Sequence, residues 1–136
     1  MKSALIFSTL FIVSILSSHC QSSEKITSLD FVQVQNNNLD EAIFYYQNNW
    51  LVLRKMAIKQ NMIDAFQLLQ TTSDTASPFE IVLITTYANQ DQFDQREENF
   101  SRLIKERGSL QLLNEKQPSE FRKVIFSKEQ AIHLSK

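Results

Sequence analysis

The stretch FEIVLITTY, residues 79 to 87, constrains the fold more than any other part of the chain. Side chains on an extended backbone alternate between two faces. Phe79, Ile81, Leu83 and Tyr87 therefore share one side, and Val82 and Ile84 the other. A strand that is apolar on both faces belongs in the middle of a sheet with cover on each side. The rest of the chain has to supply neighbours for its two edges and material for its two faces.

Three further segments read as strands. In ITSLDFVQVQ (26 to 35), Leu29, Phe31, Gln33 and Gln35 alternate with Val32 and Val34. MIDAFQLLQTT (62 to 72) and FRKVIFS (121 to 127) supply the others. Two segments have helical spacing. The first runs from Leu39 to about Gln60, with Asn38 and Glu41 spaced as a capping box. The second covers residues 88 to 108, where Asn89 or Asp91 can cap, Phe93, Phe100 and Ile104 form the apolar stripe, and Gly108 marks the end. SLQLLNEKQP (109 to 118) reads as a helical turn stopped by Pro118.

The order is strand, helix, strand, strand, helix, strand. Short right-handed connections turn that order into an α+β, ferredoxin-like βαββαβ domain over residues 26 to 127, a four-stranded antiparallel sheet with both helices on one face. Residues 128 to 136 form a frayed tail in this reading. The second sheet face stays apolar and uncovered, and the expectation is a homodimer joined through it.

The first helix carries more apolar surface than one sheet requires. Leu39, Ile43, Tyr46, Trp50, Leu53 and Ala57 form one stripe, and Phe44, Leu51 and Ile58 a second beside it. Its centre reads YYQNNW (45 to 50), with two asparagines where helix propensity disfavours them by about 0.7 kcal/mol against alanine. Helical spacing puts Asn48 with Lys55 and Lys59 on the wet side and Asn49 at the edge of the Trp50 stripe.

Residues 1 to 20 have the layout of a secretory signal: Lys2, the apolar run ALIFSTLFIVSIL, then SSHC with Ser18 and Cys20 at the recognition positions. The expected location is secreted or periplasmic, with a lipoprotein anchored through Cys20 as the alternative. Residues 21 to 25 would be a polar leader, and no segment is long enough for a membrane span of about 20 apolar residues. Cys20 is the only cysteine, so an intramolecular disulfide and thiolate metal sites are excluded. Without residues 1 to 20 the formal charge is −2, with basic residues scattered, which gives no electrostatic reason to bind nucleic acid.

In element order, in NNWLVLRKMA (48 to 57), and in the strands LLQTT (68 to 72) and IVLITTY (81 to 87), the chain resembles the dimeric α+β barrel group, which includes the antibiotic-biosynthesis-monooxygenase-like and NIPSNAP-like families. The resemblance implies homodimers whose sheets form a barrel, with a small pocket in each protomer between sheet and helices. It also implies functions that range from cofactor-free oxygenation and haem breakdown to isomerisation. A fold does not choose among them.

The residues exclude more than they assign. One glycine leaves no phosphate-cradling loop, and there is no GxSxG elbow. His133 is the only histidine beyond residue 20, which argues against a metal site, a Ser–His–Asp triad or a haem ligand on the second helix. No cofactor is expected. Glu97 falls on the Phe93–Phe100–Ile104 stripe, where a carboxylate is costly unless paired, and is either a general base or a structural partner of Arg54, Arg96 or Lys123. Trp50 and Arg54, one turn apart, can stack and present a cation to a ligand, or be a core tryptophan with a surface arginine. Asn49, Tyr46 and Gln67 can hydrogen-bond a ligand or satisfy the backbone.

The first reading is thus an exported, cofactor-free homodimer that binds a small apolar or aromatic ligand, with Glu97 and Asn49 as candidate catalytic residues and Tyr46, Trp50, Arg54 and Gln67 as ligand contacts. The alternatives are a non-catalytic interaction module and a cofactor-free monooxygenase-like enzyme.

Overall fold

The computed structural model describes residues 24 to 134. The signal-like segment, Cys20 and most of the polar leader lie outside the described residues. Among the described residues no helix is long and apolar enough to cross a membrane.

Four strands, β1 (Ile26–Val34), β2 (Ala65–Gln70), β3 (Ile81–Tyr87) and β4 (Arg122–Ile132), form one antiparallel sheet in the order β2-β3-β1-β4. Strand β3 is central, as its two apolar faces require. It pairs with β1 from Ile26↔Tyr87 to Val32↔Ile81 and with β2 from Ala65↔Thr86 to Gln70↔Ile81. The helices are α1 (Leu39–Tyr45), a π-helical segment (Tyr46–Trp50), α2 (Leu51–Lys59), α3 (Gln90–Asp94), α4 (Arg96–Arg107) and a short α5 (Pro118–Phe121). Both long crossovers join parallel, non-adjacent strands, so the ferredoxin-like α+β fold expected from the element order is the one observed.

The core lies between the helices and one sheet face. At one end Ile26, Leu53, Ala57, Tyr87, Phe93 and Leu103 pack together; at the other, Val32, Ala42, Tyr46, Ile81, Leu83 and Phe121 do. Each fully buried aliphatic or aromatic side chain stabilises the fold by roughly 1.5–3 kcal/mol. The opposite face carries Leu29, Phe31, Val82, Ile84, Leu69 and Phe126, of which Leu69 and Phe126 are 45% and 56% exposed. Phe79 belongs to this open side: it precedes β3 instead of continuing it, and its ring packs edge-on to Phe31 at 4.9 Å.

Several local expectations change. The Asn38 side chain does not cap α1; its Oδ1 accepts from Lys116 Nζ at 2.6 Å and its Nδ2 donates to the Glu120 carbonyl. Asn89 does cap, accepting from the Gln92 N–H at 2.9 Å. The second helix breaks at Gln95, which shifts the phase of α4 so that Leu103 is buried and Ile104 is 47% exposed. Gly108 ends α4 at φ +85°, a conformation that other residues adopt at a cost. Residues 109 to 117 are not a helical turn, and Pro118 starts α5 instead of stopping a helix. Strand β4 runs on to Ile132 through a bulge at Gln130 (φ +58°), so ordered sheet reaches into the segment expected to fray.

Candidate functional site

The stretch YYQNNW coincides with the π-helical segment. A π-helix bonds each N–H to the carbonyl five residues back. The two asparagines add side-chain bonds to carbonyls four residues back. Asn48 Nδ2 donates to the Phe44 carbonyl at 2.8 Å, and Asn49 Nδ2 donates to the Tyr45 carbonyl at 2.9 Å. Asn48 is half-buried, so it is not simply solvated.

Asn49 does more. Its Nδ2 also donates to the Gln111 carbonyl at 2.7 Å, and its Oδ1 accepts from the Gln111 N–H at 2.9 Å. It is 1% exposed and ties the 109-to-117 strap to the helix. Its polar atoms are committed to backbone, which answers the question its burial raises without a ligand.

Arg54, one turn past Trp50, is in the opposite condition. Its guanidinium lies 4.5 Å from the Trp50 ring centroid and 4.0 Å from that of Phe100. Its Nε donates to Thr85 Oγ1 at 2.9 Å. None of the ion pairs among the described residues includes it. Burial disfavours the charge and pulls its pKa down to about 10, which still leaves it protonated at neutral pH. Stacking on two rings returns roughly 0.5–2 kcal/mol per face, but most of its N–H donors have no protein acceptor.

Those donors border a cavity of about 290 Å³ between sheet and helices. Ser28 and Asp30 of β1 and Thr85 and Tyr87 of β3 form its floor; Leu53, Arg54, Phe100 and Ile104 form the helical wall. The Ser28 hydroxyl is buried without a hydrogen-bond partner, and burial raises the Tyr87 phenol above its ordinary pKa. The Asp30 carboxylate accepts from the Ser127 hydroxyl. At the mouth Arg96 pairs with Glu129 at 3.2 Å and with Glu97 at 3.6 Å. The Gln130 bulge sets two residues, Glu129 and Gln130, against Ser28 and thereby brings Glu129 to this edge.

The residues singled out from sequence do not form one pocket. Arg54 and Glu97 border the cavity, and Trp50 backs Arg54. Glu97 is 86% exposed at the side chain, because the break at Gln95 turns it off the buried stripe; the burial that would have made it a base is not there. Tyr46 is 2% exposed in the other half of the core, with its hydroxyl unpartnered and its pKa raised to about 12 by desolvation. Gln67 pairs with Ile84 in the register and so lies on the open face, across the sheet from Arg54. Sequence reasoning missed Ser28 and Asp30. Their signal was present: both fall on the same strand face as Ile26 and Val32, so polar groups interrupt a covered row.

Among the described residues no cluster of histidine, cysteine or carboxylates has the geometry to hold a metal ion. No family model matches the chain. No curated protein matches it either. Among solved structures the chain is similar to the crystal structure of HapK from Hahella chejuensis, with a TM-score of 0.52 and 13% sequence identity over 82% of this chain and 95% of that one. At that identity the likeness bears on the fold alone, and it agrees with the ferredoxin-like topology of the sheet and helices.

Proposed function

We propose that this protein binds a small aromatic compound that places an acceptor oxygen against Arg54, and that it does so as a homodimer of dimeric α+β barrel type. Arg54 carries the reading: a half-buried cation, held between two rings, that borders a cavity and belongs to none of the ion pairs among the described residues. A partly desolvated charge without an ion-pair partner is costly in a fold that gains nothing from it. The cavity volume suits a one- or two-ring ligand, since an apolar void of roughly 150 Å³ holds benzene. Asp30, Glu97 and Glu129 outnumber Arg54 and Arg96 around it, so an uncharged ligand with a carbonyl fits the balance better than an anion.

Trp50 is the only tryptophan, and it stacks on Arg54, so its fluorescence reports directly on the cavity. Titration with 1-phenylbutane-1,3-dione and with butylbenzene, which lacks the oxygens, tests the reading. The diketone is expected to bind at least tenfold tighter, and Arg54→Met to erase the preference. Equal affinity for the two compounds, or no binding of either, overturns it.

The dimer rests on the open face, where Leu69 and Phe126 are 45% and 56% exposed beside Phe31. Sedimentation should find two-chain particles in the wild type and single chains in Phe126→Lys. The interaction-module alternative docks a different protein on the second stripe of the first helix, Phe44, Leu51 and Ile58, of which Ile58 is 39% exposed, and predicts single chains in both. In the oxygenase alternative Glu97 is the base, and its exposure removes the support for that role; the reading still predicts oxygen uptake lost in Glu97→Gln. Export through residues 1 to 20 belongs to the proposal as well, and the mass of the mature chain tests it, with lipidation at Cys20 as a distinct mass.

A further inference from the structure

We infer that the cavity is a proton-transfer site in which Asp30 removes a proton from the carbon beside a bound carbonyl while Arg54 holds the carbonyl oxygen. The protein would then interconvert the keto and enol forms of a small aromatic ketone. The inference rests on the proposed binding of an aromatic carbonyl compound and adds a reaction to it.

Asp30 and Arg54 carry opposite charges and border the same cavity, yet they form no ion pair. Opposite charges across a half-open cavity attract, so what holds each of them in place matters. Each has its own anchor. The Ser127 hydroxyl holds Asp30, and the Thr85 hydroxyl holds Arg54. The register explains the spacing. Ser28 lies opposite Thr85 and Asp30 opposite Leu83, which makes Asp30 a diagonal neighbour of Thr85, about 7–8 Å away between backbones. The cavity of about 290 Å³ that Asp30 and Arg54 both border has room for a carbonyl group and the carbon next to it. Ser28, two residues before Asp30 on β1 and opposite Thr85, has a buried hydroxyl with no partner and borders the same space. A base, a fixed cation and a free hydroxyl around one void are the parts that enolisation needs.

The step balances without a co-reactant. An Asp30 oxygen takes the proton from the carbon. The pair of the broken C–H bond becomes the new C=C bond, and the carbonyl π pair moves onto oxygen. The enolate oxygen accepts from Arg54 and from the Ser28 hydroxyl. Asp30 then returns the proton to that oxygen, giving the enol. Nothing is oxidised or reduced.

The test uses the full-length protein with 1-phenylbutane-1,3-dione, whose enol is tracked by its ultraviolet absorbance as keto and enol equilibrate. The wild type is expected to accelerate equilibration over buffer. Asp30→Asn should lower kcat about a hundredfold, the range general-base catalysis covers, with KM and the Trp50 fluorescence change nearly unaltered. Asp30→Glu should keep part of the rate, and added formate should restore rate to Asp30→Ala, which a merely structural role would not allow. A wild type that binds the diketone without accelerating its equilibration overturns the inference and leaves the binding reading standing. So does an Asp30→Asn protein with unchanged kcat. A wild type that does not bind the diketone overturns both.

Discussion

The two halves of the layer between helices and sheet are built from the same helix and handle buried polarity in opposite ways. In the half around Tyr46 and Phe121, Asn49 is 1% exposed and bonds at both ends to backbone, and the 109-to-117 strap closes over it. In the half around Arg54, a larger and charged group has one protein acceptor and a cavity in front of it. The two residues are five positions apart. Burial of a polar group is therefore a poor guide to function by itself. What separates structure from site is whether the group's hydrogen-bonding capacity is spent inside the protein.

The contrast breaks most directly at Asn49. Asn49→Ala strips partners from the Tyr45 carbonyl and from both backbone groups of Gln111, in a buried place where each lost partner costs about 1–3 kcal/mol. The expected loss is about 3 kcal/mol or more, read as a lower urea midpoint, with the diketone affinity of the folded fraction unchanged. A stable variant with lost affinity would move the site into the sealed half.

Arg54→Met should behave the other way round. Replacing a half-buried cation that has no ion pair by an apolar side chain of similar length is expected to leave stability level or raise it by about 1 kcal/mol. Affinity for the diketone should fall at least tenfold, about 1.4 kcal/mol. Chemical denaturation and the fluorescence titration measure the two quantities separately. A large stability loss without an affinity change would mean that the guanidinium serves the fold, as Asn49 does.

This division also sets how much could be read from sequence. The sheet was legible because β3 is apolar on both faces and β1 alternates, so strand order and the covered face come from a period of two. The helices were legible as elements but not in phase. A π-helical segment after Tyr45 and a break at Gln95 each rotate the residues C-terminal to them, and neither has a periodic signal. Glu97 was misplaced for that reason. The strap looked helical because SLQLL is rich in leucine; what holds its backbone in place is Asn49, from more than sixty residues away, together with the bonds of Asn114 and Lys116 to α1. Strand β4 was cut short because the Gln130 bulge interrupts its alternation. Arg54 and Trp50 were found by their spacing, whereas the cavity they border needs the register of β1 on β3, which local patterns do not contain.

A third prediction concerns how the strap is held. Lys116 Nζ and the Asn114 amide reach Glu41 Oε1 at 2.6 and 2.9 Å and hold its carboxyl down to about 2, from an ordinary 4.5. A depressed carboxylate stabilises the fold above its unfolded pKa, and that contribution is lost as pH falls from about 4.5 towards 2. Glu41→Gln should therefore flatten part of the acid limb of stability in that window and leave the limb above pH 5 as it was. Circular dichroism through a pH series checks this, and an unchanged acid limb would show that the strap is held without Glu41.

The smallest expected effect sharpens the comparison from outside it. Gln67 lies on β2 opposite Ile84, on the far side of the sheet from Arg54, and it is exposed. Gln67→Ala should change stability by less than about 0.5 kcal/mol, the ordinary range for surface positions, and leave the diketone affinity alone. The value of this variant lies in the other outcome. A ligand that loses affinity when Gln67 is truncated would have to touch the open face, where Leu69, Phe31 and Phe126 are, and not the space between sheet and helices. The unspent donors of Arg54 would then need a different explanation, and the open face would be a binding surface in its own right. Fluorescence titration of Gln67→Ala beside Arg54→Met decides between the two faces, because one residue belongs to each.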